Sequence, residues 1–210
     1  HQTSSRPEVR HVLENSGATA IFVETADDAD KVAALSADLD RLRIAVGLDI
    51  RPSGLAGGVE VQTWQQMCAD GRRLAAADPA LFEKLVEAGD VDQPAGLFYT
   101  SGSTGAPKGV THTHRTIQYS VLGFAMSYPE LGRTRHDLVG FLGLSHVAPA
   151  LIAVYAPIMT RLVITHCSIE ERLAALIGVR PTAVLWPPRM HEKLAAEALQ
   201  ALAGSGRVFR

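Results

Sequence analysis

Residues 97–114 read LFYTSGSTGAPKGVTHTH, the stretch that most narrows what this chain can fold into. The pattern predicts a short apolar strand over residues 95–99, a loop of small residues, one lysine, and a helix starting near Thr111. Gly102, Gly105 and Gly109 let the main chain approach an anion closely and adopt positive φ, while Thr100, Ser101, Ser103 and Thr104 set hydroxyls beside exposed N–H groups. Lys108 adds a movable positive charge, and the start of the expected helix adds its positive dipole end. Together these features describe a phosphate cradle.

A mobile Gly/Ser linker has a similar composition. It needs neither an apolar strand directly ahead of it nor the Pro107-Lys108-Gly109 ending. A Walker A loop requires G-x-x-x-x-G-K-[ST]. Here Pro107 precedes Lys108 and glycine follows it, so that spacing fails.

The stretch instead resembles the signature loop of the adenylate-forming superfamily, which includes acyl-CoA synthetases, firefly luciferase and the adenylation domains of peptide synthetases. Residues 97–108 follow that pattern throughout, and Thr113-His114 resembles its continuation. Leu144-Ser145-His146-Val147-Ala148 resembles a segment of long-chain acyl-CoA synthetases and carboxylic acid reductases, with Pro149 where relatives carry glutamate. Residues 180–193 resemble a later segment of the long-chain group, although Met190 and His191 replace its usual Val-Trp pair.

The resemblance implies an α/β fold, with strands and helices alternating around a mostly parallel sheet, as part of the layered N-terminal domain of such enzymes. Residues 1–210 would be a partial adenylation domain. The adenine-stacking and ribose-binding motifs of the family do not occur in the chain, and the upstream part and the C-terminal cap domain are expected to lie outside it. The implied reaction is attack of a carboxylate on the α-phosphorus of ATP to give an acyl adenylate, followed by transfer of the acyl group to coenzyme A. Thr100, Ser101, Gly102, Ser103, Thr104, Gly105, Pro107, Lys108 and Gly109 would hold the phosphates, with Lys108 and Thr104 acting in catalysis. Thr100 would help coordinate Mg²⁺, and Ser145 and His146 would line the acid pocket. The expected substrate is a long-chain fatty acid or another carboxylic acid, and the chain by itself is expected to be inactive. A peptide-synthetase adenylation domain, a fatty acyl-AMP ligase, a carboxylic acid reductase and a non-catalytic nucleotide-binding remnant remain alternatives.

Composition excludes other classes. A formal charge of -2 without a basic run or interleaved aromatics gives no reason to expect nucleic acid as a partner. Cys68 and Cys167 stand far apart without metal-ligand spacing, which fits a reducing, cytoplasmic setting. Peripheral contact with a membrane stays open, and oligomeric state is not legible.

Elsewhere, the pattern predicts a helix opening at Pro7 and stopping at Gly17, a buried strand over residues 18–24, a helix from Thr25 to about Leu39, and a strand over residues 43–49. Helices follow over residues 63–76 and 79–89, after a Gly/Pro-rich loop at residues 52–58. Residues 138–159 carry no formal charge, but Gly140, Gly143, Pro149 and Pro157 break the run, which reads as deep core rather than a membrane span. Strands are expected over residues 161–165 and 180–186, and another beginning at Arg207. A capping box at Ser168–Glu171 should open a helix that turns Leu173, Leu176 and Ile177 inward, and Pro188 should open a further helix.

Overall fold

A computed structural model describes residues 4–100 and 106–204. Contacts divide them into two compact units: one runs to Leu122 and includes Gly143–Leu151, and the other comprises Gly123–Leu142 and the residues from Ile152 onward.

In the first unit, α1 (Arg6–Ser16) begins where the sequence places it. Ser5 donates its N–H and its hydroxyl to Glu8 at 2.7 and 2.9 Å, and Pro7 lies in the first turn, where a missing N–H costs nothing. Those two bonds hold the Glu8 carboxyl below its usual range. Gly17, at φ 63°, ends the helix in the left-handed region that glycine tolerates best. Strands β1 (Ala20–Val23), β2 (Ile44–Gly47) and β3 (Glu60–Thr63) form a parallel sheet in that order. Between β1 and β2 lies α2 (Ala26–Ala33), capped by the Thr25 hydroxyl, and a 3₁₀ turn at Ser36–Asp38 interrupts the single helix expected there. The core joins Leu13 of α1, Val23 of β1, Ala29 and Val32 of α2, and Leu35, Leu39 and Leu42. Only Val23 of β1 is buried, so the strand is less enclosed than its apolar sequence suggests.

The sequence pattern missed β3. Its residues are mostly polar, and the free edge of β2 recruits them: Glu60 donates its N–H to Arg43 O at 2.8 Å. Thr63 then ends β3 and caps α3 (Trp64–Ala77), which α4 (Leu81–Glu87) follows.

Next come β4 (Pro94–Thr100) and β5 (Lys108–Thr113), paired antiparallel from Leu97↔Thr111 to Thr100↔Lys108. The helix expected near Thr111 is therefore displaced: α5 (His114–Ser127) starts only after β5. Val110, Thr111 and Thr113 are β-branched, and pairing with β4 satisfies their backbone groups better than an early helix turn would. The N-terminus of α5 therefore does not follow Lys108 and Gly109 directly.

Beyond α6 (Glu130–Arg133), β6 (His136–Gly140) runs into a turn and α7 (Val147–Ala150). A π-helical stretch at Leu151–Tyr155 leads into α8 (Ala156–Met159). In the second unit β6 pairs in parallel with β7 (Leu162–His166), followed by α9 (Arg172–Val179) and α10 (Pro188–Gly204). Ser168 and Glu171 do form reciprocal bonds, both at 3.2 Å, but they close a turn ahead of α9, which starts only at Arg172 with Glu171 as its N-cap and no side-chain cap bond.

Three expectations fail in these later segments. The uncharged run is not deep core: Leu138, Val139, Phe141, Ala150 and Ala156 are buried, but Leu144 is 46% and Ile158 78% exposed. Short helical pieces present an outward face whatever their hydropathy. Of the three α9 residues expected to turn inward, Leu173 and Ile177 are exposed and Leu176 is half-buried. Residues 180–186 form no strand, because Arg180 takes a left-handed φ of 52° and Pro181 has no N–H to offer a ladder. That segment is attached to β6 through Thr182: its N–H donates to Asp137 O at 2.9 Å, its Oγ1 accepts from Asp137 N–H at 3.0 Å, and Oγ1 also lies 3.2 Å from His136 Nδ1. The strand expected at Arg207 lies outside the described residues. Among the described residues no helix is long and apolar enough to cross a membrane.

Candidate functional site

The β4–β5 hairpin presents the two ends of the glycine-rich stretch. Thr100 closes β4 and Lys108 opens β5 directly opposite it; both are exposed. Ser101, Gly102, Ser103, Thr104 and Gly105, predicted to hold phosphate, lie outside the described residues. None of the ion pairs among the described residues involves Lys108.

Beside the hairpin is a cleft of about 430 Å³. Thr100 and Pro107 contribute to its wall, Ser145 and His146 contribute from the turn ahead of α7, and Glu8 and Val12 contribute from α1. Two groups of residues 45 or so positions apart in sequence, predicted separately as phosphate and acid sites, therefore line one hollow within the first unit. Apolar surface comes from Leu97, Phe98 and Leu144. His146 precedes α7 with extended backbone, and its carbonyl accepts the N–H of Ala150 at 3.2 Å. Ser145 and His146 are both exposed rather than sealed in core.

Gly109 has a different role from the one predicted. It lies in extended β5 rather than at positive φ, and a Cβ there would stand 3.1 Å from both Tyr99 Cζ and Leu97 Cδ1. The missing side chain gives the Tyr99 ring room across the hairpin. Tyr99 uses that room to reach α1: its hydroxyl donates to Asn15 Oδ1 at 2.7 Å, with Val12 O at 3.4 Å. Partial burial pushes the Tyr99 hydroxyl's pKa up. His11, one helical turn before Asn15, meets the Tyr99 ring edge-on with centroids 6.3 Å apart, and its Nε2 lies 2.8 Å from Pro107 O. A carbonyl only accepts, so Nε2 carries the hydrogen.

Sequence reading missed His11, Asn15 and Tyr99. The usable signal was the i, i+4 spacing of His11 and Asn15, which puts both on one helix face. What that face would meet was not written in α1.

A profile of the AMP-binding enzyme family matches residues 1–208. A long-chain-fatty-acid–CoA ligase of Mycobacterium tuberculosis is 34% identical over 212 residues, which cover 100% of this chain and 33% of that protein. A long-chain-fatty-acid–CoA ligase of Rattus norvegicus is 24% identical over 201 residues, covering 92% of this chain and 29% of that one. The chain thus spans about a third of these curated relatives. Among solved structures, the adenylation domain of a carboxylate reductase from Mycobacterium chelonae superposes with a TM-score of 0.71 at 18% identity, over 98% of this chain and 33% of that one. ATP-bound MatB from Rhodopseudomonas palustris gives 0.56 at 16% identity, over 88% and 32%. At these identities the structural matches establish a shared α/β fold with parallel sheets.

Proposed function

Because this chain belongs to the AMP-binding enzyme family, we propose that its cleft is part of the site where a carboxylic acid, a long-chain fatty acid above all, is activated by ATP. The observation that carries this reading is the meeting of Thr100 and Pro107 with Ser145 and His146 around one hollow. Similarity to long-chain-fatty-acid–CoA ligases supports the choice of acid.

In the proposed reaction a carboxylate oxygen bonds to the α-phosphorus of ATP and the bond to the β-phosphate oxygen breaks, releasing pyrophosphate. In the whole protein the thiolate of coenzyme A then bonds to the acyl carbon, and AMP leaves with the electron pair of the acyl–oxygen bond. Oxide is a poor leaving group and AMP a good one, so the difficulty lies in holding a polyphosphate in line while its charge develops. Lys108 serves as the point charge for the phosphates and Thr100 as a hydroxyl donor beside it, with Ser101–Gly105 completing the phosphate contacts. His146 and Ser145 face the acid. Mg²⁺ accompanying ATP would neutralise phosphate charge when bound. Of the residues lining the described cleft, the Thr100 hydroxyl is the one assigned to it, and among the described residues no group of three His, Cys, Asp or Glu side chains makes a metal centre.

The test is acid-dependent pyrophosphate release from ATP by the whole protein, run with fatty acids of increasing chain length. Turnover that requires a fatty acid is expected, and Lys108→Ala should lower it by about 10²-fold, the scale of losing one charge-stabilising group. Folded protein that releases pyrophosphate with no acid of the series would refute the reading. Supplying coenzyme A or a holo carrier protein as acceptor separates thioester-forming ligases from their carrier-loading relatives.

A further inference from the structure

The cleft wall at Pro107 has only one backbone handle. Proline lacks an N–H, so of its main-chain polar groups only the carbonyl is left to hold this corner in place. That carbonyl accepts from His11 Nε2 at 2.8 Å. The opposite shoulder, at Tyr99 and Thr100, is tied to the same helix by the Tyr99 hydroxyl on Asn15 at 2.7 Å. The two ties meet, since the His11 and Tyr99 rings pack edge to face at 83°. Helix α1 is itself anchored in the core through Leu13, with Val9 packed against that core. Both arms of the hairpin therefore take their positions from one rigid, capped element rather than from each other alone.

We propose that His11 is a positioning residue for the phosphate-facing wall of the cleft, with Tyr99 as its partner: the bond from Nε2 to Pro107 O sets where Pro107, and Lys108 next to it, stand relative to Thr100. The inference rests on reading this wall as the ATP side of the cleft. His11 does not itself contact substrate. It works by removing freedom from the corner where the chain re-enters β5, so ATP binding does not have to bear that ordering cost.

The experiment compares the whole protein with His11→Ala, His11→Gln and Tyr99→Phe in acid-dependent pyrophosphate release, alongside equilibrium ATP binding and thermal melting. His11→Ala should raise KM and Kd for ATP about fivefold, the size of one lost hydrogen bond, and leave KM for the acid unchanged. His11→Gln keeps an amide N–H at similar reach and should restore KM for ATP to within about twofold. Tyr99→Phe keeps the ring over Gly109 but loses the tie to Asn15, and its effect combined with His11→Ala should be non-additive. If His11→Gln is as impaired as His11→Ala, or if KM for the acid rises in step with KM for ATP, His11 is merely structural and the proposal is overturned. If the unaltered protein shows no acid-dependent release, the reading of the cleft itself fails. If it does show release and His11→Ala leaves KM for ATP unmoved, only the positioning role fails.

Discussion

The first unit's sheet region and the β6–β7 region of the second unit use similar materials to different effect. Around β1–β3, Leu42 is 2%, Val32 2%, Val46 1% and Ala45 0% exposed. Around β6–β7, Leu138, Val139 and Leu162 are buried, but Val163 is 41%, Leu173 42% and Ile177 76% exposed. Both regions combine parallel strands with helices, but α1 and α2 carry charged outer faces, whereas α9 is apolar on most of its surface. The difference is in layers: α1 and α2 both contribute to the core beside the first sheet, whereas the described residues leave much of α9 and β7 open to solvent. An apolar stretch becomes core only when a second layer lies over it.

The sharpest test of that contrast is truncation. Leu42→Ala should cost about 2–5 kcal/mol in chemical denaturation, as for other buried large-to-small changes. A loss below about 1 kcal/mol would mean that the core of the first unit is looser than its burial indicates.

A local hydroxyl-to-backbone bond, the cap of α2 in one region and the turn ahead of α9 in the other, should act alike in both, because it needs no distant partner. Thr25→Ala removes the hydroxyl that accepts from Asp28 N–H at 3.2 Å, and Ser168→Ala removes the one that accepts from Glu171 N–H at 3.2 Å. Each should lower stability by about 1 kcal/mol, through a lost helix cap at Thr25 and a lost turn bond at Ser168. Unequal losses would show that the two units differ in more than packing.

A smaller effect follows from Asp92, held bidentate by Arg115 at 2.6 and 2.8 Å. Hydrogen bonding to the guanidinium, with its charge, holds the Asp92 carboxyl below its usual value. A carboxyl depressed in the folded state stabilises the protein above its unfolded pKa and loses that contribution as pH falls through the lowered folded value. Melting temperature should therefore decline from about pH 4 downward, and Asp92→Asn should flatten part of that decline. An unchanged acid limb in the variant would remove this pair from the account. The least effect belongs to Ile177→Ala, within about 0.5 kcal/mol for so exposed a side chain. A core-sized loss there would erase the contrast between the two regions.

Much of the architecture was legible because its signals are local. Ser5, Pro7, Glu8 and Gly17 delimit α1 by capping chemistry that needs no distant partner. The Ser168–Glu171 box is equally self-contained. β3 and the missing strand at residues 180–186 were not legible, since the first depends on a free edge offered by β2 and the second fails through Arg180 and Pro181. The late start of α5 has the same cause, because β5 exists only where β4 is present to pair with it.

From its own residues the chain determined an alternating α/β order, the starts of α1, α2 and α3, and a glycine-rich stretch flanked by Thr100 and Lys108 whose pattern marks its family. Tertiary structure alone decided that Gly109 makes room for a tyrosine ring, that α1 holds both arms of the hairpin, and that Ser145 and His146 share a cleft with Thr100 and Pro107. The physical reason is one of range. Caps and turns are satisfied within a few residues, whereas a cleft is defined by groups that only packing brings together.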